Sequence, residues 1–184
     1  MGDKLGAFKF RPSGMPMAGF IACFGGVYEH SPWVAELTWQ RGLDAGHDSA
    51  DGLAVALAQS VDGADRERCL QLIRAHPDLA GRAAVSGTLT AESTSEQSSA
   101  GIDQCSADEF SRFQRYNDAY KNKFEFPFVM AVRGSNRDAI LAAFQERLEN
   151  GYDTEFRRAI SEIHKIAKFR LQAIADRSNG VGVS

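Results

Sequence analysis

The stretch 153-DTEFRRAISEIHKIAKFRLQAIADR-177 decides the fold class. Its apolar residues fall at Phe156, Ile160, Ile163, Ala167 and Ile174, in steps of four, three, four and seven. That is the period of one helix face, not the two-residue alternation of a strand. The step of seven skips one member, and Arg170 stands in its place. A guanidinium on a core-facing stripe needs an anion, because burying it unpaired costs several kcal/mol. Two readings of Arg170 stay open on this ground alone: an internal salt bridge or snorkelling side chain, and a functional site.

The helical period recurs upstream. In 136-NRDAILAAFQERLEN-150 it is closed by Gly151. Ser106, with Glu109 three residues on, forms a capping box that opens another helix. Along that helix Phe110, Phe113, Asn117, Tyr120 and Phe124 share one face, whose aromatics read as core. In 31-SPWVAELTWQRG-42, Ser31 suits the N-cap, Pro32 the first turn and Gly42 the stop. The runs 51-DGLAVALAQSV-61 and 65-DRERCLQLIRA-75 are further helices, the second with Cys69, Leu72 and Ile73 on one side. Between 81 and 104 the pattern dissolves into Gly, Ser, Thr and Ala and reads as a long loop. In 124-FEFPFVMAVRG-134, Pro127 interrupts an apolar run that is a buried strand or an extended connection, and periodicity does not choose between them. Strand alternation and hairpin turn signals are missing. The expectation is one all-α domain of seven to nine helices over residues 1–184, with 1–16 and 178–184 as flexible tails.

Composition bounds the function classes. The chain has 184 residues, 43% hydrophobic and 24% charged, and a net charge of -3 that offers no basic footprint for nucleic acid. Cys23, Cys69 and Cys105 lie far apart and read as reduced thiols. Lys4, Lys9 and Arg11 before 17-MAGFIACFGGV-27 imitate a signal peptide, but two glycines weaken the run and 28-YEHSPW-33 follows where a cleavage site should lie. The run is too short to span a bilayer. A cytoplasmic chain with no membrane partner is the preferred reading, with secretion as the alternative.

Three groups are candidates for chemistry. His76 precedes Pro77, which pushes it out of helical geometry, so the imidazole sits where a helix stops. A helix C-terminus favours imidazolium, which suits either a simple cap or a proton carrier. Glu96 and Gln97, ringed by serines in 92-ESTSEQSSAG-101, place donors and acceptors close together; the same composition also describes a solvated loop. His30, His47 and His164 show no metal-ligand arrangement, and no Cys-x-x-Cys or His-x-x-x-His pair occurs. The Gly25–Gly26 pair lacks the context of a phosphate loop.

Four stretches in order, 24-FGGVYEHSPWVAE-36, 75-AHPDLAG-81, 92-ESTSEQSSAG-101 and 120-YKNKFEFPFVMAVRG-134, resemble the 2-oxo-4-hydroxy-4-carboxy-5-ureidoimidazoline (OHCU) decarboxylases of urate breakdown. The likeness continues through 137-RDAILAAFQERLEN-150 and 163-IHKIAKFRL-171, and so covers residues 17 to about 175. Each motif alone would be weak; four in order are specific. The resemblance implies an all-helical, cofactor-free, metal-free and commonly dimeric enzyme that converts OHCU to (S)-allantoin and carbon dioxide. It implies His76 as proton donor beside Pro77, with Glu96 and Arg170 catalytic. It further implies Ser93 and Gln97 in the substrate pocket, and Phe128, Val129, Met130, Ala131 and Val132 lining it. Glu125 departs from the glycine common at its position, which matters if that position needs a positive φ. Two competing readings are a non-catalytic helical module binding a purine-derived ligand or partner protein, and a hydrolase of a neighbouring step. The intact set of His76, Glu96, Gln97 and Arg170 argues against the first, and the poor metal-ligand set against the second.

Overall fold

The structure, a computed structural model, describes residues 6–81 and 87–180. Among these residues there are eight α-helices and no strand beyond one isolated bridge between Ala7 and Ser49. The helices are α1 (Met17–Phe24), α2 (Trp33–Gln40), α3 (Ala50–Asp62), α4 (Arg66–Arg74), α5 (Ala91–Ser99), α6 (Ala107–Phe124), α7 (Arg137–Leu148) and α8 (Tyr152–Ser178). The all-α expectation and its helix count are met. The chain divides into two compact units, one of Met1–Leu72 with His164–Ser184, the other of Ile73–Ile163.

The first unit is built from α1 to α3, most of α4 and the C-terminal part of α8. Phe20, Phe24, Leu53, Leu57 and Val61 are buried in it. Thr38 and Ser60, both buried, satisfy each other at 2.8 Å, and Thr38 also donates to the Val34 carbonyl. Ser31 is not the cap of α2: Pro32 takes the N-cap position at φ -61° and the helix begins at Trp33. Proline's fixed φ starts the helix without a side-chain acceptor. Residues 6–16, expected to be a tail, are tied in instead. Phe8 is buried against Phe10 and Phe24, and Asn179 Nδ2 donates to the Ala7 carbonyl at 2.8 Å. The remainder of both expected tails lies outside the described residues.

The second unit holds α5 to α7 and the start of α8 around an aromatic core. Phe113, Tyr120 and Phe124 of α6 are fully buried, as their spacing predicts, and Phe128 stacks on Phe144 of α7 at 3.8 Å. The Ser106–Glu109 capping box forms as read. Within the loop expected at 81–104, Ala91–Ser99 is a helix: Thr90 caps α5 by accepting from Ser93 N. Its Ala, Glu and Gln residues favour helix, but it has so little apolar surface that no hydrophobic period marks it. The apolar run after α6 is an extended connection from Pro127 to Val132.

That connection starts with a backbone reversal. Glu125 caps α6 at φ 60°, ψ 19°, while its N–H donates to the Lys121 carbonyl at 2.8 Å. A left-handed residue ends a helix cheaply only when it is glycine, because a Cβ crowds the following carbonyl there. Glu125→Gly is therefore expected to stabilise the protein by about 1 kcal/mol, raising Tm by about 2–4 °C in a calorimetric scan. An unchanged or lowered Tm would show that the glutamate side chain offsets its backbone strain.

Candidate functional site

Helix α4 ends at Arg74, two residues before His76, and His76 N donates to the Ile73 carbonyl at 3.1 Å in a tightened last turn. The imidazole is buried, 8% exposed, at the helix break that Pro77 dictates. The loop that follows carries a second strained residue, Ala80, at φ 51°. Glycine would take that conformation freely; alanine holds it only where neighbours over-determine the backbone.

Side chains of α5 and α6 supply those neighbours. Gln97 Oε1 accepts from Ala80 N at 3.1 Å, and Gln97 Nε2 lies 3.5 Å from the Asp78 carbonyl. Gln114 Nε2 donates to the Ala80 carbonyl at 2.6 Å and Asn117 Nδ2 to the Leu79 carbonyl at 2.8 Å. Lys121 Nζ lies 2.5 Å from Asp78 Oδ2. The structure thus joins Gln97 to the loop begun by His76. Ser93 and Gln97, one turn apart on α5, are both buried, and Glu96 lies between them at half-burial. The helical register that the sequence hides puts all three near one face.

The expected lining segment is held by its backbone. Phe128, Val129 and Val132 are buried, and Met130 and Ala131 half-buried. Arg147 Nη1 donates to the Val129 carbonyl at 2.7 Å, and Ala131 N donates to Glu162 Oε2 at 2.9 Å. Arg147 in turn pairs with Glu155 at 2.9 Å and stands 4.3 Å from the Phe128 ring centre. Tyr120 donates its hydroxyl to the same Glu155 carboxylate, whose other oxygen accepts from Asn150 at 2.7 Å. Burial pushes the Tyr120 hydroxyl well above the usual phenol range, so it remains a donor.

Arg170 belongs to the first unit, where Glu29 meets its Nη1 at 2.7 Å. Both side chains are buried. The same nitrogen lies 3.5 Å from the carbonyls of Gly26 and Val27. The internal salt bridge, one of the two readings open for this arginine, is therefore present. Next to Glu29, Tyr28 contacts His164 Nδ1 at 2.9 Å, and His164 Nε2 lies 3.1 Å from Asp62. Burial raises the Tyr28 hydroxyl above its ordinary range, which keeps it a donor, while Nε2 of His164 faces Asp62.

Sequence reading missed Glu29, Arg147, Glu155 and Glu162, yet a signal existed. Ile140, Phe144 and Arg147 are spaced four and three, so Arg147 is a charge on an apolar stripe just as Arg170 is. On α8 the acids Glu155 and Glu162 are buried beside Ala159, Ile163 and Ala167, and a stripe read by hydrophobicity alone passes over them. Among the described residues no cluster of three or more His, Cys, Asp or Glu could hold a metal ion, and no helix is long and apolar enough to cross a membrane. A cavity of about 470 Å³ lined by Ser13, Gly14, Met15, Pro16, Trp39, Gly42 and Leu43 holds none of the expected site residues and no titratable side chain.

The OHCU decarboxylase family model matches residues 13–172. A 2-oxo-4-hydroxy-4-carboxy-5-ureidoimidazoline decarboxylase of Haloferax volcanii is 45% identical over 152 residues, 83% of this chain and 86% of its own length. Its counterpart in Mus musculus is 35% identical over 157 residues, 85% and 86% of the two chains. The crystal structure of an (S)-allantoin synthase superposes with a TM-score of 0.69 at 29% identity, over 90% of this chain and about half (53%) of that one. A crystal structure of OHCU decarboxylase in the presence of (S)-allantoin shares the fold, with a TM-score of 0.64 at 22% identity over 88% of this chain and 99% of that one.

The Arg147–Glu155 pair lies in a place from which water is excluded. Glu155→Leu alone is expected to destabilise the fold by about 3–5 kcal/mol, because it strands a buried guanidinium. Arg147→Met with Glu155→Leu is expected to recover a large part of that loss in urea unfolding; a purely additive double variant would refute the pairing argument.

Proposed function

The chain belongs to the OHCU decarboxylase family, and we propose that it releases carbon dioxide from OHCU in urate degradation through His76, Glu96 and Arg170, yielding (S)-allantoin. The observation that carries this reading is the family match across residues 13–172, with His76 buried at a helix break and Gln97 bonded to the loop that His76 begins. Residues 1–184 are read as one such domain, working as a cytoplasmic homodimer, with OHCU as its small-molecule partner.

The chemistry follows from the substrate. The bond between the ring carbon and its carboxylate breaks; its electron pair forms a double bond to the neighbouring ring carbon, the carbon–nitrogen pair moves onto nitrogen, and that nitrogen takes a proton. The neighbouring ring carbon then takes a proton on one face, while the carbon that lost carbon dioxide keeps its oxygen and becomes a carbonyl as the hydroxyl proton leaves. One proton is consumed overall. The substrate is its own electron sink, so the protein's tasks are orientation, charge stabilisation and facial proton delivery.

His76 delivers the proton. Glu96 accepts a hydrogen bond from the substrate hydroxyl or ureido group, and Gln97 and Ser93 add contacts. Pro77 and the backbone of Phe128, Val129, Met130, Ala131 and Val132 shape the pocket wall. Gripping the departing carboxylate would favour the ground state, so Arg170 acts on charge that grows on the ring or ureido oxygens.

Freshly generated OHCU mixed with the protein, followed by ultraviolet decay and circular dichroism, tests the activity; racemic product at the spontaneous rate would reject it. His76→Asn is expected to lower kcat by about 10²–10⁴-fold with folding intact, and to collapse the enantiomeric excess. Turnover near the parent level would remove the proton-donor role. Arg170→Met is expected to lower kcat; a raised KM with unchanged kcat would mean uniform binding only.

A further inference from the structure

Helix α6 presents an oddity on its aromatic face. Between Phe113 and Tyr120 stands Asn117, 1% exposed, in a place that an apolar side chain would fill at lower cost. Its Nδ2 is committed to the Leu79 carbonyl at 2.8 Å, and its Oδ1 has no hydrogen-bond partner among the described residues. A buried amide half satisfied is kept at an expense, which asks what its one bond secures. The answer lies in its neighbours. Gln114, three residues before, takes the Ala80 carbonyl at 2.6 Å, and Lys121, four residues after, takes the Asp78 carboxylate at 2.5 Å. Steps of three and four put these side chains on one face of α6, and that face reads three consecutive residues of a single loop. From the opposite side Gln97 fixes the Ala80 N–H, so both backbone groups of the one strained residue are pinned.

We propose that Gln114, Asn117 and Lys121 are positioning residues for the decarboxylation, clamping residues 78–80 so that the imidazole of His76 holds the bearing required for proton delivery to one face. The inference rests on His76 as the proton donor. The transmission is covalent and short: Pro77 has a fixed φ, so the soft torsions between the clamped groups of Asp78 and the imidazole are Asp78 φ, Pro77 ψ and those of His76 itself. Tilting residues 78–80 redirects the ring. Such a clamp explains why Ala80 tolerates a left-handed backbone: four side chains from two helices over-determine it.

The test uses the two less buried members, since Asn117 variants risk the fold. Lys121→Met and Gln114→Met are made singly and together in the full chain, with Lys121→Arg as the conservative variant. The expected result is a fall in kcat of about tenfold for the double variant, with KM changed less than about twofold, and a loss of enantiomeric excess, because misaiming a proton donor costs rate and facial selectivity together. Lys121→Arg should restore most of both. A merely structural role would lower Tm while the folded fraction kept parent kcat and enantiomeric excess. That outcome, alongside an inactive His76→Asn, would overturn the clamp and leave the proton donor standing. A fully active His76→Asn would instead overturn the proton-donor reading on which the clamp rests.

Discussion

The ion pair of Arg147 and Glu155 is the constraint on which the second unit depends. Neither partner reaches water: Arg147 is 3% exposed and Glu155 0%. Two charges so placed stabilise a fold only if nearly every remaining donor and acceptor is used, and here they are. Glu155 receives Arg147, Tyr120 and Asn150; Arg147 also reaches the Val129 carbonyl and covers the Phe128 ring. One network therefore fixes α6, α7, the start of α8 and the extended connection. A hydrophobic core alone would hold the helices but not the connection, whose backbone groups from Phe128 to Val132 have no ladder to enter. Arg147 and Glu162 supply what a neighbouring strand would, one taking a carbonyl and the other an N–H.

The same device recurs at the His76 loop, with amides in place of charges. Gln97, Gln114 and Asn117 bind consecutive backbone groups of a segment that belongs to no helix. In both places long polar side chains on helices discharge the hydrogen-bonding obligations of irregular backbone. That requirement explains polar residues on faces whose period is otherwise apolar or aromatic. Arg170 and Glu29 follow the pattern in the first unit, where a buried pair lies against the Gly26 and Val27 carbonyls.

Legibility in the sequence divides along that line. Helices with a clear apolar period, α3, α6 and α8, stand where hydrophobic spacing puts them, because burial of one face dictates both the period and the packing. Helix α5 was invisible: it buries Ser93, Gln97 and its C-cap Ala100, so its face carries no hydrophobic signal, and only the Thr90 cap and its helix formers mark it. The N-cap of α2 was misplaced by one residue because Ser31 and Pro32 are both good starts and the proline's fixed φ decided. Of the candidate site, His76 and Arg170 were legible as exceptions: one at a forced helix break, the other a charge on an apolar stripe. Glu29 was not, since a single acid in a short irregular stretch breaks no period. Arg147 breaks one, on the stripe of Ile140 and Phe144. Asn117 was read as an ordinary member of an aromatic face.

These exceptions suit the chemistry of a decarboxylation that needs no external electron sink. Where the substrate itself accepts the electron pair, little rate is gained from an exotic group, and most must come from where ordinary groups are held. A protein meeting that demand has to make irregular backbone as rigid as helix, since the proposed proton donor and the expected pocket wall both lie on segments without regular structure. Its investment should then appear as buried polar side chains bonded to backbone, at a cost in stability, and as non-glycine residues kept in left-handed conformations. Ala80 at φ 51° and Glu125 at φ 60° bracket the loop and the connection in this way. The strain at Glu125 is not idle either, for its carbonyl accepts from Arg74 at 3.1 Å, the last residue of the helix that leads to His76. Helix end, loop and connection are thus held by side chains bonded to backbone atoms, and the placement of the imidazole becomes a property of the whole second unit.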